Sequence, residues 1–233
     1  MGNKSPTLIY HFTHAQNLSN ILSIGRIYCK SRLPDSDQLL NVSHQNIQEQ
    51  RRNKQIGCHP GGILHDYVPF YFATRSPMMY VISKGGVEGY DNNTIPLIYL
   101  VSSIERVQKL SLNFAFSDGQ PTMLLTQFYN DVTDLNKVDW EVMEARMWRE
   151  TEEDPDPDKS RRRQAEFLVH RKFPWDAVGF LVVKNQNVKE RLDRHLSEKW
   201  PERVKPVRVE SGWQHNVALR YGMWCFVPES SSV

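Results

Sequence analysis

A chain of 233 residues, 39% of them hydrophobic and 24% charged, has enough apolar material for a sizeable core and falls outside the disordered and fibrous classes. Its net charge of +2 gives no strongly basic footprint of the kind that marks a protein holding nucleic acid by charge alone. Cys29, Cys58 and Cys225 are odd in number, far apart and without a Cys-x-x-Cys pair, which argues against a disulfide framework or a zinc ribbon. No stretch approaches the roughly 18 apolar residues of a membrane span, and Met1 to Pro6 carry no apolar leader, so one cytoplasmic domain over residues 1–233 is expected. Cys58, His59, His65 and Asp66 fit no standard zinc spacing, and no metal is expected.

Along the chain, Leu18, Ile21 and Leu22 recur at helical spacing after Thr13; Thr13 and Gln16 have the spacing of a capping box, and Gly25 supplies a stop. A second, mostly polar helix is predicted over 42–55, with Ile47 and Arg51 one above the other, before the Gly61-Gly62 break. The aromatic-rich stretch 67–73 reads as a strand, and Ser76 as the N-cap of a helix over 77–84 with Pro77 at its first position. Further strands are predicted over 95–101, 110–116, 166–170, 177–183, 204–210 and 223–227, and helices over 103–108, 121–129, 140–148 and 188–200. This irregular order, with no Gly-x-Gly-x-x-Gly after a strand, predicts an α+β domain and not a doubly wound nucleotide-binding sheet. Charge is segregated: eight acidic residues lie in 141–158 against Arg146 and Arg149, and Lys159, Arg161, Arg162, Arg163, Arg171 and Lys172 follow. The acidic, proline-containing run 150–158 reads as an exposed loop.

Three stretches in fixed order carry the functional signal: Tyr10-His11-Phe12-Thr13, Tyr71-Phe72-Ala73 with Ser76 following, and Ala165-Glu166-Phe167. Together they have the parts of a nicotinamide-dinucleotide site. Breaking the bond between nicotinamide and ribose spreads positive charge over the anomeric carbon and ring oxygen. A carboxylate that fixes a ribose hydroxyl nearby therefore stabilises the transition state more than the ground state. Glu166 suits that part, because a carboxylate inside Ala-Glu-Phe-Leu-Val is expensive to bury without a use. A cationic pyridinium gains about 0.5–2 kcal/mol on an electron-rich ring; Tyr71 and Tyr80 are the candidates. Ser76 and the Phe12 backbone could read the carboxamide, and His11 the distal ribose. Taken singly, His11 reads as a structural histidine, Thr13 as a cap and the Tyr71 strand as core; the ordered set carries the reading.

These motifs resemble the ADP-ribosyltransferase superfamily of the His-Tyr-Glu kind, with Glu166 at the catalytic glutamate and Phe12 where those enzymes usually carry Gly. The closer resemblance is to the DarT-type toxins, which ADP-ribosylate bases in single-stranded DNA. It runs through Tyr10 to His14 with Asn17-Leu18, Ile47-x-x-x-Arg51, Asp66 to Phe72, Arg75-Ser76-Pro77-Met78-Met79-Tyr80 and Ala165-Glu166-Phe167. It implies an ADP-ribosyltransferase-like α+β fold, with a central, mainly antiparallel split β-sheet flanked by helices. NAD would be the co-substrate, single-stranded DNA the substrate, and a macrodomain antitoxin the partner that reverses the mark. The resemblance implies that His11, Phe12, Thr13, Asn17, Tyr71, Ser76, Tyr80 and Arg52 hold the dinucleotide and that Arg51 and Glu166 carry catalysis. The segment 118–165 would present the acceptor base. Lys54, Arg75, Arg146, Trp148, Arg149, Arg161, Arg162 and Arg163 are candidate DNA contacts.

Adjacent arginines on a helix point about 100° apart, so only one of Arg51 and Arg52 faces a pocket; the residues leave the choice open, and the resemblance to the family's Ile47-x-x-x-Arg51 pattern favours Arg51. Arginine keeps its proton, which suits it to pairing with a base anion or the diphosphate and not to acting as a base. Glu166 could accept the proton of a thymine ring nitrogen, directly or through water. The triplet 161–163 reads equally as a solvated run or a phosphate patch, and Trp140 and Trp148, eight residues apart, as one helix face packed in the core. Two alternatives stand beside DNA modification. One is a transferase acting on RNA, protein or terminal phosphates through the same NAD pocket. The other is a non-catalytic single-strand binder, which predicts salt-dependent DNA binding without NAD turnover.

Overall fold

Alternation and long buried registers set the sheet. The computed structural model describes residues 5–33, 45–75, 97–145, 147–148 and 150–210. Its strands are β1 (Leu8–His14), β2 (Arg26–Tyr28), β3 (Tyr67–Tyr71), β4 (Leu97–Ser103), β5 (Phe114–Ser117), β6 (Phe128–Tyr129), β7 (Glu166–His170), β8 (Lys172–Pro174), β9 (Phe180–Val183) and β10 (Val207–Val209). The helices are α1 (Asn17–Ile24), α2 (Gln45–Asn53), α3 (Ile104–Lys109), α4 (Trp140–Glu144), α5 (Lys159–Arg162) and α6 (Gln186–Lys199). Eight strands form one sheet in the order β10-β9-β4-β1-β3-β7-β5-β6, antiparallel except for the β9/β10 pair, and β2 and β8 form a separate ribbon. β1 runs along the whole of β4, from Leu8↔Ser103 to His14↔Leu97, yet pairs with β3 only at Tyr10↔Tyr71. That single bridge is the split in the sheet.

Strand alternation sends Ile9, Phe70, Leu100, Phe167 and Val169 into the main core, where Leu18 and Leu22 of α1 and Leu192 and Leu196 of α6 cover them. On the opposite face Leu64, Tyr67, Ala115 and Leu168 gather with Ile56, which follows α2. Burial of whole Leu or Phe side chains, at about 1.5–3 kcal/mol each, makes these two clusters the main stabilising term.

Several predicted elements shift. Thr13 lies inside β1 and α1 begins after Gln16, so the capping box does not form; Asn17 Nδ2 donates to Thr13 Oγ1 at 3.2 Å instead. Gly25 does end α1, in the left-handed conformation at φ 73°, its N–H reaching the carbonyls of Ile21 and Leu22. The predicted helix over 121–129 is a loop that enters β6. The Gln120 side chain accepts from the N–H groups of Thr122 and Met123 as a cap would, but the Met123 carbonyl then takes Lys54 and the Thr126 N–H and the chain turns toward β6. The helix predicted over 140–148 stops at Glu144, because Arg163 donates to the carbonyls of Val142, Met143 and Ala145, groups a helix end leaves unpaired. Trp140 and Trp148 therefore share no helix face. The strand predicted over 110–116 starts at Phe114, after Ser111 turns at φ 49°. The one over 177–183 starts at Phe180, after a 3₁₀ turn over Trp175–Ala177, and the one over 204–210 shortens to Val207–Val209. The helix over 77–84, the strand over 223–227 and the start of the 42–55 helix lie outside the described residues. Among the described residues no helix is long and apolar enough to cross a membrane, and no group of three His, Cys, Asp or Glu could hold a metal ion.

Candidate active site

Register lines up Tyr10, Tyr71 and Glu166 across β1, β3 and β7, since Tyr10 opposes Tyr71 and Tyr71 opposes Glu166. Opposed residues project to one face of a sheet. Phe12, two residues from Tyr10, shares that face and stacks on Tyr71 with centroids 5.5 Å apart and planes 9° from parallel. The edge of Tyr99 closes on Phe12 at 6.1 Å. Phe12 and Tyr71 thus form one flat aromatic stack on this face.

Arg51, on α2, meets Glu166 as a two-pronged pair: Nη1 donates to Oε1 and Nη2 to Oε2, each at 3.0 Å. Both side chains are nearly dry, 11% and 7% exposed. Burial opposes the guanidinium's charge, but attraction to Glu166, the two hydrogen bonds and the nearby Tyr71 phenol together hold its pKa above the ordinary arginine value. Such a fork is stronger and better oriented than a single contact. Arg52 is exposed, so the helix turns Arg51, not its neighbour, onto the carboxylate. On the backbone side, the Glu166 N–H donates to the Ser117 hydroxyl at 3.0 Å.

His11 occupies the other face of β1. Its ring packs against Phe70 at 5.5 Å, and its Nδ1 lies 2.8 Å from the Pro69 carbonyl, across the opening between β1 and β3. A carbonyl only accepts, so Nδ1 carries the hydrogen. Burial lowers the ring's pKa, partly offset by that bond, and the neutral ring leaves Nε2 as an acceptor. Thr13 is buried beside Asn17. The structure therefore sets His11 and Thr13 on one side of the split and Tyr71, Arg51 and Glu166 on the other.

The segment 118–165 is tied at both ends. Gln120 N–H donates to the Arg161 carbonyl at 2.9 Å, and the Arg161 guanidinium bonds Asp158, Asp118 and Thr126. A Cβ on Gly119 would lie 2.2 Å from Arg161 Nη1, so a larger residue there would displace the guanidinium from its partners. Arg162 pairs with Asp139, Asp156 and Asp158. Arg163 is 4% exposed; besides the α4 carbonyls it donates to the Arg75 carbonyl at 3.1 Å and lies 5.1 Å from the Trp148 ring. The triplet is thus not a freely solvated run: Arg161, Arg162 and Arg163 all bond within the chain, and Trp148 faces Arg163. Lys54 donates to the Met123 carbonyl at 2.9 Å and sits 5.9 Å from the Phe128 ring. Arg75 is half-buried next to residues 76–80. Ser76, Tyr80, Arg146 and Arg149 lie outside the described residues. Sequence reasoning missed Ser117, whose only signal was a small polar residue at a strand end. It also missed the loop tip, where Met123, Leu124 and Leu125 are 49%, 94% and 75% exposed, because apolar residues in a row read as a helix core.

The family model described as DarT, ssDNA thymidine ADP-ribosyltransferase, matches residues 10–215. A DNA ADP-ribosyl transferase of Thermus sp. strain 2.9 is 37% identical over 211 residues, which span 90% of this chain and 97% of that relative. The structure of Thermus sp. 2.9 DarT in complex with ADP-ribosylated ssDNA is similar with a TM-score of 0.82 at 35% identity, over 91% of this chain and 99% of that one. The same protein in complex with NAD+ gives 0.79 at 34% identity over the same shares. Together with the paired Arg51 and Glu166 beside the aromatic wall, these similarities identify the chain as a member of the DarT family of single-stranded-DNA thymidine ADP-ribosyltransferases.

Proposed function

We propose that thymine is the acceptor base of this NAD-dependent DNA ADP-ribosyltransferase, and that Glu166 and Arg51 carry the transfer. The observation that supports these roles best is the dry, two-pronged pair in line with Tyr71. Nicotinamide leaves with the electron pair of its bond to ribose, and the sugar cation is captured by a thymine ring nitrogen that gives up its proton. Glu166 has two tasks in this reading: holding a ribose hydroxyl next to the developing cation, and receiving the thymine proton directly or through water. Arg51 orients the carboxylate and balances the negative charge of the deprotonated base, since its own proton stays in place.

The Phe12–Tyr71 stack offers the pyridinium its wall, with Ser76 and Tyr80 as further partners. The His11 Nε2 acceptor suits a hydroxyl of the distal ribose, and Thr13 and Asn17 brace that strand end. A dinucleotide that meets both groups would lie across the opening between β1 and β3. Arg52, exposed on the helix of Arg51, is available to the diphosphate, and Lys54 and Arg75 are the DNA-side candidates. The partner in this reading is a macrodomain antitoxin that removes the mark, and the location is the cytoplasm.

Incubation with labelled NAD and a panel of DNA, RNA and protein acceptors tests the reading. One ADP-ribose should add to a thymine-only oligonucleotide and none to an oligonucleotide lacking thymine, with Glu166→Gln abolishing the addition. Undiminished transfer by the Gln variant would end the assignment of Glu166, and labelling of RNA or protein in preference to DNA would end the assignment of the acceptor.

A further inference from the structure

Glu166 is fixed from its backbone as well as from its carboxylate. Its N–H donates to Ser117 Oγ at 3.0 Å, and the same hydroxyl donates to the Gly119 carbonyl at 2.7 Å, with Ser117 fully buried. Ser117 ends β5, and the β5/β7 ladder runs from Phe114↔Val169 to Phe116↔Phe167. At the next position the hydroxyl takes the place of a backbone partner. It satisfies the N–H of Glu166 while holding the first turn of the segment that runs from 118 to 165. Gly119 in turn lies against the Arg161 guanidinium, which packs where its Cβ would be. One buried oxygen therefore joins the start of β7 to the root of the acceptor segment.

We propose that Ser117 is a positioning residue for the transfer: its hydroxyl sets the reactive carboxylate of Glu166 in fixed relation to the segment that presents the acceptor base. This inference rests on the role of Glu166 argued above. A donor that is buried without an acceptor must find one by moving, so loss of the hydroxyl shifts the β7 start or the 119 turn. Misplacement of about 1 Å between reacting groups can cost on the order of 100-fold in rate. Phe12 and Tyr71 stand on β1 and β3, whereas Ser117 ends β5.

The test is steady-state kinetics of the full chain with thymine oligonucleotide and NAD, expressed per folded enzyme from circular dichroism. The variants are Ser117→Ala, Ser117→Cys and Ser117→Thr, with Glu166→Gln beside them. Ala and Cys should lower kcat for transfer about tenfold or more while KM for NAD stays within twofold, and Thr, which keeps the hydroxyl, should recover most of the loss. The Cys side chain is slightly larger and a much weaker hydrogen-bond partner, so it reports on the hydrogen bond without opening a cavity. If Glu166→Gln is inactive but Ala and Cys keep kcat within twofold of the parent, Ser117 is a packing residue and the proposal fails alone. A loss seen only in KM for NAD also overturns it. Transfer by Glu166→Gln at the parent rate would instead remove the reading on which it rests.

Discussion

The strands that carry Tyr10, Tyr71 and Glu166 and the segment from 118 to 165 are held by different forces. Around Glu166, Phe167, Leu168 and Val169 are fully buried, and β7 is bonded to β3 on one side and β5 on the other. The segment has its own buried residues, Val138, Val142 and Met143, and a short β5/β6 pair, and adds arginine–aspartate pairs on partly buried side chains, such as Arg161–Asp118 at 3.0 Å and Arg162–Asp139 at 2.8 Å. Hydrophobic ladders fix position whatever the ionic conditions, whereas exposed pairs are worth about 0.2–1 kcal/mol each and weaken with salt. The comparison separates strands held by ladders and apolar packing from a segment whose two ends are tied by arginine–aspartate pairs.

Arg51 is where the two sides meet. Its helix touches the segment through Gln50, which accepts from the Thr122 hydroxyl at 3.2 Å, while its guanidinium forks onto Glu166. Arg51→Lys keeps the charge and discards the fork. Transfer should fall about 100-fold in kcat/KM, equivalent to about 2.7 kcal/mol of transition-state stabilisation at 1.36 kcal/mol per factor of ten. Measurement of kcat/KM with labelled NAD decides it: a loss smaller than threefold would mean that charge without orientation is enough.

Arg163 is the exception within the segment, a buried cation fastened to backbone carbonyls of α4 and of Arg75. Arg163→Met keeps the stem and strands those acceptors. At about 1–3 kcal/mol for a buried polar group left unpaired, we expect a loss of about 3 kcal/mol in urea unfolding. Arg162→Met, whose pairs are open to water, should cost less than about 1 kcal/mol. Equal losses in the two variants would erase the distinction drawn between buried and exposed fixings.

The sheet side was the more legible in sequence, for a physical reason. β7 was readable to its ends because Glu166–His170 is an apolar run between charged stretches, and α3 because Ser103 is a capping residue before an amphipathic turn. That only one of Arg51 and Arg52 could face the site followed from the helical period, a local property, while the choice of Arg51 came from the family resemblance. The segment obeys distant partners instead. Nothing near Arg161, Arg162 and Arg163 in the chain announces Asp118, Asp139 or the α4 carbonyls, and Met123-Leu124-Leu125 looked helical until Gln120 and Lys54 claimed the loop around it. The two hydrogen bonds of Ser117 join residues 49 and 2 positions away, so no local window could hold both.

Acid should separate the two sides by a smaller margin. His11, His14, His65 and His170, all in or beside the sheet, are held below their ordinary pKa of 6.5 chiefly by burial. A histidine with a lowered folded pKa takes its proton more readily when unfolded. Its contribution is therefore intact above 6.5 and is lost as pH falls from there toward the folded value. Asp158 and Asp156 are lowered from 3.8 chiefly by hydrogen bonds from Arg161 and Arg162, respectively. Their contribution is intact above 3.8 and is lost only as pH falls through the folded values. Between pH 7 and pH 5 the sheet side should weaken while the ion pairs of the segment persist. Urea midpoints should fall over that range, and less steeply in His11→Gln, while hydrogen exchange corrected for intrinsic rates should show β1 and β3 losing protection before residues 158–163. A level midpoint from pH 7 to pH 5, or earlier loss at 158–163, would place the acid-sensitive fixings in the segment and reverse the comparison.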